Sequence, residues 1–268
     1  MDEAACSSRG ILLARIPSER TGNAASTAEM GVYLLLAALR QHNGMGAAVQ
    51  SRTLGAPLGR QLKGLKVLVV GWGNIARELA VRLAPFGVEL SAVRRSPWGS
   101  GGGDDEVAAL LVSKGVASVD THAMLGEADA VVLACNQTAE NRGMVSAAFL
   151  GAMKEGAALV NVARGGLFDR DALLAALESG HLGYLASDVA WAEPVDPSDA
   201  VVNHPNAYFT PHVGGVTDTS YGTMGGIVAG AARGVLAGRG PGDDTMVVNL
   251  EAVKAAGAGA VAGAAEVI

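Results

Sequence analysis

Cysteine, aromatic side chains, a basic excess and long apolar runs are all scarce in this chain, and each shortage excludes something. Two cysteines, Cys6 and Cys135, cannot build a disulfide framework in 268 residues, which points to a reducing compartment. Only 4% of residues are aromatic while 37 are glycine, so a large core forms only if small residues pack tightly. The formal net charge of −6 has the wrong sign for a nucleic-acid surface. No uninterrupted apolar run approaches the roughly 20 residues of a membrane span, and no membrane partner is expected. The opening MDEAACSSRG is acidic and lacks an apolar stretch. It fits neither a secretory signal nor a transit peptide, and a cytoplasmic protein is expected.

Half of the residues are hydrophobic, and the length suits one large or two modest domains. The organising stretch is Lys66 to Ala80, KVLVVGWGNIARELA. Val67 to Val70 reads as a buried parallel strand, and from Asn74 the pattern turns helical. Between them stands Gly71-x-Gly73-x-x-Ala76. Gly71 allows a tight turn, Gly73 lets a pyrophosphate approach the backbone, and Ala76 brings the helix close to the strand. The helix N-terminus then offers N–H groups and partial positive charge to phosphate. An ordinary βα turn could use the same residues; the strand before and helix after favour a dinucleotide.

The remaining chain alternates strand and helix. Residues 10–16 read as a strand. Ser26-Thr27-Ala28-Glu29 fits a capping box, with Ser26 as N-cap. The helix after it, MGVYLLLAALRQ, is apolar on nearly every side and must be buried all round. Gly44 and Gly46 follow it, and residues 51–64 form a Gly/Pro-containing connection. Val88 to Val93 is a second strand, ending at Arg94-Arg95-Ser96. An acidic residue there would favour NAD, whereas two guanidinium groups and a hydroxyl suit a 2′-phosphate. A solvated basic pair is the plainer alternative.

Residues 97–105 read as a loop, 106–114 as a helix and 116–119 as a short strand. Further strands are expected at Ala130 to Cys135, Ala157 to Ala163 and Leu185 to Val189. Cys135 suits a small packing residue better than a nucleophile. Asp169 or Asp171 caps the helix ALLAALESG, which Gly180 closes. Residues 220–237 form a closing helix, and the Ala/Gly-rich tail from Glu251 is assigned no rigid structure. The order implies a doubly wound parallel α/β sheet, with ligands at the carboxyl ends of its strands.

Three polar side chains follow successive strands at that edge: Arg164, Glu193 and His212. Reduction of a 2-keto acid needs such a set. Arg suits a carboxylate and polarises a carbonyl, and His exchanges a proton near neutral pH. A neighbouring carboxylate orients that His. Singly, each has an ordinary structural role; their joint placement favours chemistry.

The runs VLVVGWGNIARELAVRLAPFGVEL, LVNVARGGLFDRDALLAALESGHL, SDVAWAEPVDP and FTPHVGGVT resemble the D-isomer-specific 2-hydroxyacid dehydrogenases, over roughly residues 10 to 249. The resemblance places the catalytic set on Arg164, Glu193 and His212, and puts Asp188 near the nicotinamide. Together with the fingerprint turn and the basic end of the second strand, it gives expected cofactor contacts at Gly71, Gly73, Asn74, Ile75, Arg94, Arg95, Ser96, Asn136, Ala163 and Asp188, and no metal is expected. Asn136 stands where the family usually has Pro. The VAW-x-EP-x-DP wording is similar to a plant and algal branch described as phosphoglycerate-dehydrogenase-like. Such proteins are usually homodimers, which would bury the helix at Met30–Leu39. They also carry an N-terminal substrate domain that this chain largely lacks.

The expected architecture is therefore a Rossmann-type α/β domain at 25–214 with a remnant of a second, substrate-binding domain at 1–24 and 215–249. A disordered tail at 250–268 completes it. With a native N-terminus elsewhere, an organellar protein is also compatible. The expected activity is NADP- or NAD-dependent interconversion of a D-2-hydroxy acid and its 2-keto acid, with NADP favoured. A dinucleotide-binding sensor resembling a corepressor, or an inactive truncated remnant, is the alternative.

Overall fold

The computed structural model describes residues 2–16, 20–95, 107, 112–117, 121–242 and 245–256. In chain order the elements begin with α1 (Glu3–Ser8), β1 (Ala14–Arg15), α2 (Asn23–Leu39), α3 (His42–Gln50), β2 (Lys66–Val70) and α4 (Asn74–Leu83). Next come β3 (Glu89–Arg94), β4 (Val112–Ala117), α5 (His122–Leu125), β5 (Ala130–Leu133), α6 (Ala147–Ala152) and β6 (Ala157–Asn161). The last are α7 (Arg170–Glu178), β7 (Leu182–Ser187), β8 (Ala207–Phe209), α8 (Asp218–Leu236), β9 (Met246–Val247) and α9 (Leu250–Ala255). Ala25–Gly214 form one compact unit; Met1–Ala24 and Gly215–Ile268 form another.

The larger unit holds a seven-stranded sheet in the order β4-β3-β2-β5-β6-β7-β8, with every pair parallel. The chain winds outward from β2 through β3 to β4, then returns to the other side of β2 with β5. That reversal is the topological switch point, beside which sheets of this kind bind their ligands at the carboxyl ends. Side chains alternate across the sheet. Val67, Val69, Ala130, Val132, Ala158 and Val160 enter one core. Leu68, Val70, Val131, Leu133, Ala157 and Leu159 enter the other. Both faces being covered explains why these strands read as unbroken apolar runs.

Helix α4 buries Ala76, Leu79, Ala80 and Leu83, a helical i, i+3, i+4, i+7 stripe. Helix α2 lies close to it, since a Cβ on Gly31 would sit 3.2 Å from Leu79 Cδ1. Leu34, Leu35, Ala38 and Leu39 are fully or almost fully buried in this same core. Most of the helix is thereby covered within its own unit, while Met30, Val32 and Leu36 are half-buried and Tyr33 is exposed.

At the amino edge, Asp129 ties three segments together. Its carboxylate accepts bonds from Arg60 Nη2 at 2.9 Å, Lys154 Nζ at 2.7 Å and the Lys66 amide at 3.0 Å. Burial alone would push this carboxyl up, but Lys154, the Lys66 amide and Arg60 outweigh it and hold it below the usual carboxylate range.

In the smaller unit, β1 pairs antiparallel with β9. The buried Asn249 accepts from the Leu13 amide at 2.7 Å and donates to Ile11 O at 2.9 Å and Ser7 Oγ at 3.1 Å. Helix α8 starts at the Thr217 hydroxyl, which accepts from the Ser220 amide.

Several elements depart from the sequence expectation. Helix α2 begins at Asn23, so Ser26 lies inside it and no capping box forms there. The Thr21 hydroxyl takes the Asn23 amide instead, and Glu29 turns outward to Arg82 at 3.2 Å. The strand expected at 10–16 shrinks to Ala14–Arg15, and helix α1 precedes it. Residues 42–50 form α3 despite Gly44 and Gly46, because tertiary bonds hold it: Asn43 Nδ2 donates to Ala207 O at 2.6 Å. Val112–Ala117 is strand β4 rather than the end of a helix; parallel pairing with β3 overrides its weak pattern. The loop at 97–105 lies outside the described residues. In the tail, residues 250–255 are helical, with Val253 buried.

Candidate active site at the carboxyl edge of the sheet

The strand order sets the expected site residues in a row: Arg94 after β3, Gly71 and Gly73 after β2, Asn136 after β5, Arg164 after β6, Glu193 after β7 and His212 after β8. At about 4.8 Å per strand, β3 to β8 spans roughly 24 Å.

The fingerprint turn shows two distinct uses of glycine. Gly71 has φ +103°, and a Cβ there would lie 2.6 Å from the Cys135 backbone. This glycine lets the turn press against the end of β5. Gly73 has extended φ and ψ and caps α4 without a side-chain acceptor; a Cβ there would project into open space. That open face beside a helix N-terminus fits an approaching phosphate. Ala76 is fully buried, which matches the close packing expected of it. Asn74 and Ile75 occupy the first turn of α4. Cys135 is half-buried, and burial pushes its thiol up, so it is poorly suited to act as a nucleophile.

Arg94 ends β3 and is half-buried, and Arg95 is exposed; Ser96 lies outside the described residues. Glu140 sits on the turn after Asn136. Its bonds with Thr138 and its own backbone, and then the charge of Arg95, lower its pKa. Asn141 braces this turn, accepting from the Thr138 amide at 2.7 Å and donating to Asn136 O at 2.8 Å.

Arg164 is exposed and follows a tight turn. Asn161, fully buried at the end of β6, shapes that turn: Oδ1 accepts from the Ala163 amide at 2.8 Å and Nδ2 donates to Arg164 O at 3.0 Å. The next residue must be glycine, since a Cβ on Gly165 would collide with Ala190 O at 1.7 Å. Asn161 is not among the residues that the sequence singles out. The available signal is a polar residue closing an apolar strand, which implies a buried hydrogen-bonding task.

His212 and Glu193 meet: Nδ1 lies 2.8 Å from Glu193 Oε2. Glu193 Oε1 accepts from the Ala190 amide at 3.1 Å. Burial works against ionisation of Glu193, but the bonds from His212 and Ala190 and the nearby Arg164 charge outweigh it. Its pKa is lowered, so it is an ionised, acceptor-only group at neutral pH. His212 Nδ1 must therefore carry the hydrogen, which leaves Nε2 for a ligand. Asp188 is buried and accepts bonds from Thr210, Val213 and Gly214, in the segment carrying His212.

The structure thus brings Glu193 and His212 into contact and Arg164 within electrostatic reach of Glu193. It places Arg94 at the end of β3 and Arg95 just after it, beyond β2 and β5 from the β6 turn that carries Arg164. Among the described residues no helix is long and apolar enough to cross a membrane.

Comparison with known proteins identifies the family and the fold. The family described as D-isomer specific 2-hydroxyacid dehydrogenase, NAD binding domain, matches residues 32–214. The D-3-phosphoglycerate dehydrogenase of Mycobacterium leprae is 33% identical over 241 residues, covering 89% of this chain and 43% of that protein. A solved structure from Thermus thermophilus is 32% identical with a TM-score of 0.78, covering 92% of this chain and 75% of its own. A glyoxylate reductase from Paecilomyes thermophila superposes with a TM-score of 0.74 at 28% identity, covering 88% of this chain and 68% of its own. The chain spans about two fifths of the length of the curated relatives it matches, 39% to 43% for the first three.

Proposed function

Since the chain belongs to the D-isomer-specific 2-hydroxyacid dehydrogenase family, we propose that it binds NADP or NAD along the carboxyl edge of its sheet. Within a complete protein it serves reduction of a small 2-keto acid, or oxidation of the 2-hydroxy acid. The observation that carries this reading is the ionised Glu193 holding His212 Nδ1 at 2.8 Å, in line with the open Gly73 turn.

When bound, a reduced nicotinamide supplies the hydride that the carbonyl carbon accepts. Arg164 holds the substrate carboxylate and polarises the carbonyl. His212, oriented by Glu193, delivers a proton from Nε2 to the carbonyl oxygen and recovers one in the reverse direction. Gly71, Gly73, Asn74 and Ile75 hold the pyrophosphate side, and Asn136 and Ala163 line the edge between the strands. Arg94 favours the 2′-phosphate of NADP; Arg95 supports it less, because Glu140 offsets part of its charge.

Residues 1–24 and 215–249 belong to a substrate-binding domain. A homodimer is the favoured assembly. Support for it lies in α3 and the connection after it, where Val49, Leu54 and Leu58 are 74%, 101% and 89% exposed, apolar surface that a second copy would cover.

The exposed Arg164 and His212 favour a second outcome for the 268-residue chain alone: dinucleotide binding without efficient turnover. Catalysis of this kind depends on a cleft that excludes water and positions substrate. Purified chain is titrated with NADPH by fluorescence, then assayed on glyoxylate, hydroxypyruvate and phenylpyruvate. Binding with little turnover is expected. Absence of binding would sink the dinucleotide reading, and robust turnover would show that these residues already form a complete cleft.

A further inference from the structure

We infer that the Arg170–Asp199 ion pair is a positioning pair for the site: it staples the connection that carries Glu193 to the segment that carries Arg164. This rests on Glu193 being the partner of the acid/base group His212. Residues 188–206, between β7 and β8, contain no helix or strand. Side-chain and turn bonds therefore set their path, where a sheet would use its backbone ladder.

Two points join this connection to the segment after β6. Close to the site, Ala190 O presses on Gly165, where a Cβ would collide with it. Farther along, Arg170, the first residue of α7, grips Asp199 with two parallel bonds. Arg170 Nε lies 3.1 Å from Oδ2 and Nη2 lies 3.1 Å from Oδ1. Arg170 and Asp199 stand equally far along the chain beyond Arg164 and Glu193. The pair thus closes two short arms, each bearing one site residue.

A fully solvated ion pair would do little, but bidentate geometry and a network make this one different. The Asp199 side chain is 13% exposed. Its Oδ1 also accepts from the amide of the fully buried Val201 at 2.8 Å. Burial works against ionisation of Asp199, but Arg170 and the Val201 amide outweigh it and hold the carboxyl below its usual range. Asn203 closes the turn, with Nδ2 donating to Pro197 O at 2.6 Å and Asp199 O at 3.0 Å. Arg170 Nη1 donates to Asp171 Oδ1 at 2.7 Å, a second acid that holds the guanidinium in place. The far end of the connection is anchored in this way. Glu193 lies between that anchor and Ala190, whose amide its Oε1 accepts at 3.1 Å.

The test uses the 268-residue chain labelled with ¹⁵N and with ¹³C at the glutamate carboxyls, Glu193 being assigned by its loss in Glu193→Gln. Arg170→Met keeps the aliphatic stem and removes the guanidinium. Glu193 titrates below the ordinary glutamate range in the parent. In Arg170→Met its midpoint should move up toward that range, as its bonds with His212 and the Ala190 amide loosen. Exchange of the Ala190 amide should accelerate about tenfold, which is about 1.4 kcal/mol of local opening free energy. Exchange at Ala158 in β6 should stay within about twofold. Arg170→Lys should fall between, because an ammonium keeps the charge but not the two parallel bonds. An unmoved Glu193 midpoint with unchanged Ala190 exchange would overturn the inference. So would equal acceleration at Ala190 and Ala158, which would assign the pair to global stability alone. If Arg170→Met does not fold, Asp199→Asn keeps an acceptor for Val201 and weakens the pair. It should move both readouts in the same direction, and no movement would count against the inference. None of these readouts requires turnover. An inert His212→Ala in an active parent would remove the catalytic reading and leave the staple standing.

Discussion

At the amino edge of the sheet, Asp129 is 7% exposed and satisfied by Arg60, Lys154 and the Lys66 amide. At the carboxyl edge, the His212 and Glu193 side chains are 45% and 40% exposed. Both ends carry an acid beside a base, and both carboxyls are held below their ordinary range. They differ in what removal would cost. A buried carboxylate that fixes three segments cannot be lost without leaving the Lys66 amide poorly paired, although the half-exposed Arg60 and Lys154 can turn to water. A half-exposed pair can be altered with water taking its place, so its strength is small and its reachability is the point. Charge at one end serves the fold, and charge at the other stays available to a ligand.

The sharpest way to break this contrast is His212→Ala. In an active parent with a complete substrate site, turnover should fall roughly 10²- to 10⁴-fold, with cofactor affinity and melting temperature nearly unchanged. A matching loss of stability would assign His212 to the fold instead.

Asp129→Ala should do the reverse, costing about 1–3 kcal/mol of stability and leaving NADPH affinity per folded molecule intact. Denaturant unfolding measures it. The pH dependence has a definite sign. The folded pKa of Asp129 is lowered, so its contribution is complete above the ordinary carboxylate range. It is lost as pH falls through that range toward the lowered folded value. The variant should therefore show a shallower acid-side decline than the parent; equal slopes would remove Asp129 from the account.

A smaller effect is expected at Arg94. A charge-assisted contact is worth about 1.5–3 kcal/mol, so NADPH should bind at least about tenfold tighter than NADH. Arg94→Asp should shrink or reverse that preference. Equal affinities in the parent would sink the idea. Smallest is Glu140→Gln, which relieves Arg95 of a neighbouring negative charge. It should tilt the balance slightly further toward NADPH, and the gain should fade at high salt, because both groups are solvated.

Much of this molecule could be read from local pattern. Val67–Val70, Ala130–Leu133 and Ala157–Asn161 are strands because no alternating pattern is needed when both faces are covered. Asp169 caps α7 by accepting the Ala172 amide at 3.1 Å, as its position before the helix implies. Local pattern misled at Ser26, where a plausible capping box lies inside α2 because Thr21 starts the helix earlier. It also missed α3, whose two glycines oppose a helix that Asn43 secures through contacts far along the chain.

The sequence by itself determined the alternation of strand and helix, the Gly71-x-Gly73-x-x-Ala76 turn and the order in which Arg164, Glu193 and His212 reach the carboxyl edge. Those follow from residue type and spacing, which act over a few positions. Only the tertiary structure decided that α2 is mostly covered by its own unit, that Asp129 gathers Arg60 and Lys154, and that Asp188 closes on the amides beyond His212. Each of those joins residues about 20 or more positions apart, and a side chain's partner across such a distance is set by how the sheet is wound rather than by its neighbours in sequence.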